Sequence, residues 1–304
     1  MRDFVDQNRK AYGVEPICKV LQIAPSGYRC HAARKRKPEL LCARAKRDET
    51  LMPQIQAVWQ ANMQVYGADK VWHQMNREGN KVARCTVERL MKRLGLHGVR
   101  RGKVIRTTVP DKAAPCPLDR VNRQFKADRP NQLWVSDFTY VSTWQGWQYV
   151  AFVIDVFARR IVGWRVSSSM RTDFVLDALE QALFDRQPER SDALIHHSDR
   201  GSQYVSILYT ERLAEAGIEP SVGSRGDSYD NALAETINGL YKAELIHRRA
   251  PWKTKEALEL ATLEWVAWFN HHRLLSSIGY IPPAEAEVNY YRQLAGKNET
   301  EVST

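Results

Sequence analysis

Three runs rich in Val, Ile and aromatic residues follow one another between residues 133 and 168: "LWVSDFTYV", "WQYVAFVIDV" and "RIVGWRVSS". Only short connections separate them. Short connections join antiparallel neighbours, because a parallel pair needs a crossover of a dozen or more residues. The pattern then changes. A helical stretch runs from Thr172 to about Leu183, with Phe174, Leu176, Leu179 and Leu183 among its apolar residues. "ALIHHS" reads as a short buried strand, "QYVSILYTERLAEAG" as a helix and "IEPSVG" as another strand. "YDNALAETINGLYKAEL" and "KEALELATLEWVAWFNHHR" are helical, and "NYYRQLAGKNETEVST" reads as a closing tail, frayed at its end. Antiparallel strands running into alternating helix and strand predict an α/β fold, a mixed sheet flanked by helices.

The remainder of the 304 residues is differently charged. Residues 1–130 hold 28 Lys and Arg against 12 Asp and Glu, a net +16, while residues 131–304 hold 17 against 23, a net −6. The basic half is suited to a polyanion, nucleic acid above all. No apolar run approaches the roughly 20 residues of a membrane span. The opening "MRDFVDQNRK" lacks the hydrophobic segment of a signal peptide, so no membrane association is expected and the cytoplasm is the expected compartment. Cys18, Cys30, Cys42, Cys85 and Cys116 are odd in number and form no CxxC pair, which argues for reduced thiols over disulfides or a zinc knuckle.

Two helical units are expected in the basic half. In "VEPICKVLQIAPSGYR", Val14, Ile17, Cys18 and Leu21 fall at helical spacing, and Pro25 is placed to open a second helix. In the second unit, "YGADKVWHQMNREG" puts Val71, Trp72 and Met75 on one face and stops near Gly79. "VARCTVERLMKRLG" follows, with Ala83, Val87, Leu90, Met91 and Leu94 as its buried stripe and Gly95 at its end. Two short helices about a glycine turn form a helix-turn-helix pattern. Arg84, Arg89, Lys92 and Arg93 are then candidates to meet DNA, the last three lying away from the apolar stripe; a merely solvated basic face is the plainer alternative. "GVRRGKVIRTTVPDKAAPCPLD" is basic, Pro-containing and aperiodic, a linker.

Most of the acids in the second half are surface charge, but three stand out by context. Asp137 interrupts an apolar strand, where a charge is costly. Asp199 ends the strand of "LIHHSDRGSQY" and is followed by Arg200 and Gly201. Glu235 sits in an amide- and alanine-rich helix, with Asn231 four residues before, Asn238 three after and Lys242 seven after. Cleaving or joining a phosphodiester calls for charge neutralisation at the attacking and leaving oxygens, and hard divalent cations held by carboxylates supply it. Asp155, in "VIDVFARR" beside Arg159 and Arg160, also sits in an apolar strand, and spacing alone does not separate it from Asp137.

Thirty-five residues lie between Asp199 and Glu235, and Lys242 follows the glutamate by seven. This resembles the D,D-35-E signature of retroviral-type integrases and insertion-sequence transposases. The strings "LWVSDFTYV", "IDVFARRIVGW", "HHSDRGSQY", "GDSYDNALAETINGLYKAEL" and "WFNHHRLLSSIGYIPPAEA" look like successive blocks of that family. Nearly end to end, the chain is similar to the second-reading-frame transposase subunit of a large bacterial insertion-sequence family. One departure stands in the C-terminal block, where Asn270 and Arg273 are followed by Leu275 at a position the family fills with His.

The resemblance implies an RNase H-like core with Asp137 on the first strand, Asp199 after the fourth and Glu235 on a following helix. It implies two Mg²⁺ ions held by that triad, with Mn²⁺ able to substitute. Lys242 and Asn231 become DNA contacts, and His197, two residues before Asp199 on an alternating strand, a group that orients the carboxylate. The expected organisation is a helix-turn-helix-like unit over 1–48, a DNA-binding helix-turn-helix over 49–97 and a basic linker over 98–127. A catalytic core over 128–288 and a tail over 289–304 complete it. The implied partners are double-stranded DNA, both inverted-repeat ends and target, and further copies of the chain in at least a dimer on DNA. The family's first-reading-frame protein is another implied partner, as a fusion on which full activity is expected to depend, since no heptad run occurs here. A related integrase or RNase H-type nuclease that only hydrolyses, or a non-catalytic DNA-binding regulator, are the competing readings.

Overall fold

The computed structural model describes residues 1–100, 102, 126–189, 193–198, 203–204, 206–222 and 231–302. Most of the basic linker therefore lies outside the described residues. Five strands, β1 (Leu133–Thr143), β2 (Gly146–Asp155), β3 (Arg160–Ser167), β4 (Ile195–Ser198) and β5 (Glu219–Val222), form one sheet in the order β3-β2-β1-β4-β5. The first three pair antiparallel, as their short connections require. β4 then adds parallel to β1, and β5 parallel to β4, across helical crossovers. This is the mixed sheet expected of an RNase H-like core.

Alternation along β1 sorts the side chains. Leu133, Val135 and Val141 enter one apolar cluster, while Trp134 enters another, with Phe138 packed against it. The Trp134 side packs on α7 (Thr172–Arg186) and α8 (Ile207–Glu215), through Phe174, Leu179 and Tyr209. The other side is covered by α9 (Ala232–Tyr241) and, after the three-residue α10 (His247–Arg249), by α11 (Lys255–His271), which brings Trp265 and Phe269. Each fully buried Val, Leu, Ile or Phe contributes about 1.5–3 kcal/mol. At Gly163 on β3 the strand approaches α7 so closely that a Cβ would stand 2.0 Å from the carbonyl oxygen of Ala178. Only glycine fits there.

The N-terminal half is all helical: α1 (Arg2–Tyr12), α2 (Val14–Val20), α3 (Pro25–Arg36), α4 (Ala43–Ala61), α5 (Ala68–Arg77) and α6 (Arg84–Leu94). The first three share a small core of Val5, Ile17, Cys18, Tyr28 and Ala32. Pro25 opens α3, and Gly95 ends α6 in the left-handed region at φ 69°. α4 spans residue 48, so the boundary drawn there from sequence falls inside a helix. Ala83 is exposed instead of buried, because α6 begins one residue later and Val82 fills the core position.

The α4–α6 unit joins the apolar cluster on the α9 side of the sheet. The Tyr66 hydroxyl accepts the Leu274 N–H at 2.7 Å and donates to the His272 carbonyl at 3.1 Å. The Tyr280 hydroxyl donates to Asp69 at 2.7 Å while its ring stacks on His73. At the C-terminus the expected tail is instead the second half of a helix, α12 (Pro283–Val302). Proline suits its first turn, and alanine and glutamate extend it.

Candidate active site

Parallel pairing between β1 and β4 ends at Ser136, opposite Ser198. Asp137 is the next residue on β1, half-buried and on the face of Val135, toward α9. Its Oδ1 accepts the Phe138 N–H at 2.8 Å, and its Oδ2 accepts from Asn238 Nδ2 at 2.8 Å. Seven residues, or about two turns, earlier, Asn231 Nδ2 donates to the Ser136 carbonyl at 2.8 Å. Two asparagines thus fasten α9 to two consecutive residues of β1.

Asn231, Glu235, Asn238 and Lys242 follow at intervals of four, three and four, one helix face. Glu235, exposed, stands between the two anchored asparagines. Lys242 opens a π-helical turn (Lys242–Ile246), and its Nζ lies 4.8 Å from the centroid of the Tyr140 ring. Burial holds its ammonium below the usual lysine range, and the Asp137 carboxylate opposes that shift. Among the described residues, the Oδ1 atoms of Asn231 and Asn238 are buried without a hydrogen-bond partner. An orphaned buried carbonyl oxygen is costly unless something else meets it.

The two histidines of β4 face opposite ways. His196 Nε2 lies 2.7 Å from Ser136 Oγ and 3.1 Å from the Tyr209 hydroxyl. Burial, with the neighbouring His197 adding to it, pushes the His196 imidazole down to about 3, so it is neutral. His197, on the Val135 side and also buried, has Nδ1 3.0 Å from Ser221 Oγ on β5. Asp199, which His197 is expected to orient, lies outside the described residues.

Asp155, which spacing left in competition with Asp137, has a structural fate. It accepts from the Asn131 and Phe157 N–H groups at 2.8 and 3.0 Å and from Arg186 at 3.0 Å. Arg186 in turn reaches both oxygens of Glu287 on α12 at 2.9 Å. Burial raises the Asp155 carboxyl, against the pull of those donors. Its lasting partner comes from α7, not from Arg159 or Arg160 beside it in sequence.

Among the expected DNA contacts, Lys92 and Arg93 are exposed on α6. Arg84 is exposed near Asp69 and Glu88, at 3.8 and 3.9 Å. Arg89 forms a two-pronged pair with Asp48 of α4 at 2.7 and 2.8 Å and so also ties the recognition-type helix to its support. Asn231 turns its amide inward onto β1. Three contributors escaped sequence reasoning: the His196–Ser136–Tyr209 contact, the Asn238 bond to Asp137, and a buried pair of Glu244 with Arg273. Spacing within α9 was the one signal available, and only for Asn238. Asn270 bonds both the N–H and the carbonyl of Ile161 on β3, and Leu275 is buried, so this block serves packing.

The donor chemistry of Asp137 and Glu235, carboxylate oxygen with asparagine carbonyls beside it, suits a hard cation such as Mg²⁺ more than zinc.

Comparisons with known proteins follow the same division. An HTH-like domain model matches residues 46–104, and two integrase core domain models match residues 127–228 and 216–283. The chain is 59% identical over 294 residues to the transposase for insertion sequence element IS629 of Shigella sonnei, covering 97% of this chain and 98% of that protein. It is 58% identical over 276 residues to a putative transposase for insertion sequence element IS986/IS6110 of Mycobacterium tuberculosis, covering 90% and 98%. Among solved structures, the HTLV-2 integrase catalytic core domain in complex with magnesium gives a TM-score of 0.42 at 16% identity, covering 53% of this chain and 98% of that one.

Proposed function

Because the chain belongs to the insertion-sequence transposases that combine an HTH-like domain with an integrase core, we propose that it binds the inverted-repeat ends of its element and cuts and joins DNA through Asp137, Asp199 and Glu235. The observation that carries this reading is the bond from Asn238 to Asp137, with that of Asn231 to Ser136, which brings the Glu235 helix onto the Asp137 strand.

The three carboxylates would hold two Mg²⁺ ions. The chemistry these supply when bound is activation of a water or 3′-hydroxyl and neutralisation of charge on the leaving 3′-oxygen in an in-line displacement. Asn238 fixes the rotamer of Asp137 by donating to its Oδ2, while the Phe138 N–H holds Oδ1. Lys242 sets a cation beside Asp137 and an aromatic face, a position suited to a DNA phosphate near the cut. Lys92 and Arg93, with Arg84, supply positive charge on the 49–97 unit for end binding, and α1–α3 add to it. Binding two ends at once calls for at least a dimer on DNA.

The test uses purified full-length chain, labelled inverted-repeat ends and Mg²⁺. Joined strand-transfer products are expected; nicks alone would make it a hydrolytic relative. Asp199→Asn is expected to abolish cleavage and joining with end binding retained. Unchanged cleavage and joining in that variant would overturn the assignment of Asp199 to a metal site.

A further inference from the structure

Between α5 of the helix-turn-helix unit and the catalytic half lies a cavity of about 260 Å³. Its apolar floor is Leu233, Ile237 and Leu240 of α9 with Phe269 of α11, so it opens on the side of α9 away from Asn238 and Asp137. Around the rim stand three cations, Lys70 from α5, Arg159 from the β2–β3 turn and Arg273 after α11, together with the Ser276 and Ser277 hydroxyls.

The charges do not balance. Arg273 is neutralised by Glu244, both side chains buried. Lys70 lies over the face of the Tyr66 ring, 5.3 Å from its centroid, shares the Glu244 carboxylate with Arg273 and feels Asp69 beside it, whereas Arg159 faces no carboxylate among the described residues. Both are half-buried: burial lowers Lys70 to about 8, with Arg273 adding to the shift and Glu244 and Asp69 opposing it, and burial alone lowers Arg159. A cation held out of water without a counter-charge is unfavourable unless an anion completes it. Arg159 also keeps a left-handed backbone, φ 59°, a conformation that costs a non-glycine residue energy and projects it at the end of a tight turn.

We propose that this cavity is a phosphate-binding site, occupied by a free phosphate group or by a backbone phosphate of bound DNA, with Lys70 and Arg159 as its charged ligands and the Ser276 and Ser277 hydroxyls as further donors. Arginine offers paired donors to phosphate oxygens, and lysine a point charge. The volume is below the range of pockets for drug-sized ligands, which favours a small anion over a whole nucleoside. Since Lys70 belongs to the end-binding unit and Arg159 to the sheet, the anion would bridge the two.

The site lies apart from the carboxylates, so its test needs no catalysis. Full-length protein is melted in increasing inorganic phosphate at ionic strength held constant with chloride. The expected result is a melting temperature that climbs with phosphate, and at least a tenfold weaker apparent affinity in Lys70→Met/Arg159→Met. Arg159→Lys should retain most of the response, which guards against a folding defect in the double variant. A wild-type response equal to that of chloride, or undiminished phosphate affinity in the double variant, overturns the proposal. A short DNA duplex identifies the source: competition with phosphate assigns the cavity to the DNA backbone, and independent binding assigns it to a free phosphate.

Discussion

Acidification should loosen the sheet through one residue. His196 is buried between Ser136 and Tyr209, with a folded value near 3, against about 6.5 for an unfolded histidine. Between those values the unfolded chain holds a proton that the folded chain does not, so stability from this group is complete above pH 6.5 and falls as the pH drops. The slope is about 1.36 kcal/mol per pH unit. From pH 7.5 to 5.0 the loss attributable to His196 is about 2 kcal/mol. His196→Gln keeps an amide able to meet both hydroxyls and never titrates. Urea unfolding of the full chain, followed by circular dichroism at both pH values, isolates the term by subtraction, because the other histidines and the carboxylates are common to both proteins. The wild type should lose about 2 kcal/mol more than the variant. Indistinguishable pH profiles would refute the argument that burial keeps this imidazole neutral.

Asn238→Leu should slow strand transfer about 10–100-fold with unchanged melting and a raised Mg²⁺ requirement, since it frees the Asp137 carboxylate; an unaltered Mg²⁺ titration would count against its positioning role. Arg273→Met strands the buried Glu244 carboxylate and should cost about 3–5 kcal/mol in urea unfolding. Gly163→Ala forces β3 and α7 apart and should cost about 1–3 kcal/mol or more, read from the melting temperature.

The sheet was legible because its first three strands are long apolar runs and because the connection lengths already separate antiparallel from parallel pairing. Helix α1 was not read, because only Val5 of its eleven residues is buried and the apolar stripe is faint. The α12 stretch looked like a tail because its outer residues are polar, and the reason it is held, Glu287 meeting Arg186 and Arg160, is a contact across 101 and 127 positions. The site itself shows the same limit. Composition could not choose between Asp137 and Asp155, two acids in apolar strands. The choice rests on Arg186, 31 positions from Asp155, and on Asn238, 101 positions from Asp137.

The guanidinium of Arg186 has consequences for the order of biosynthesis. It is enclosed by Asp155, Asn131 and Glu287, and the last of these leaves the ribosome 132 residues after Asp155 and 101 after Arg186 itself. Until then Arg186, at the end of α7, has Asp155 and Asn131 but lacks its two bonds to Glu287. Truncated translation products ending before residue 287 would therefore inherit a weakened scaffold, and proteolytic quality control would find them more readily than the finished polypeptide.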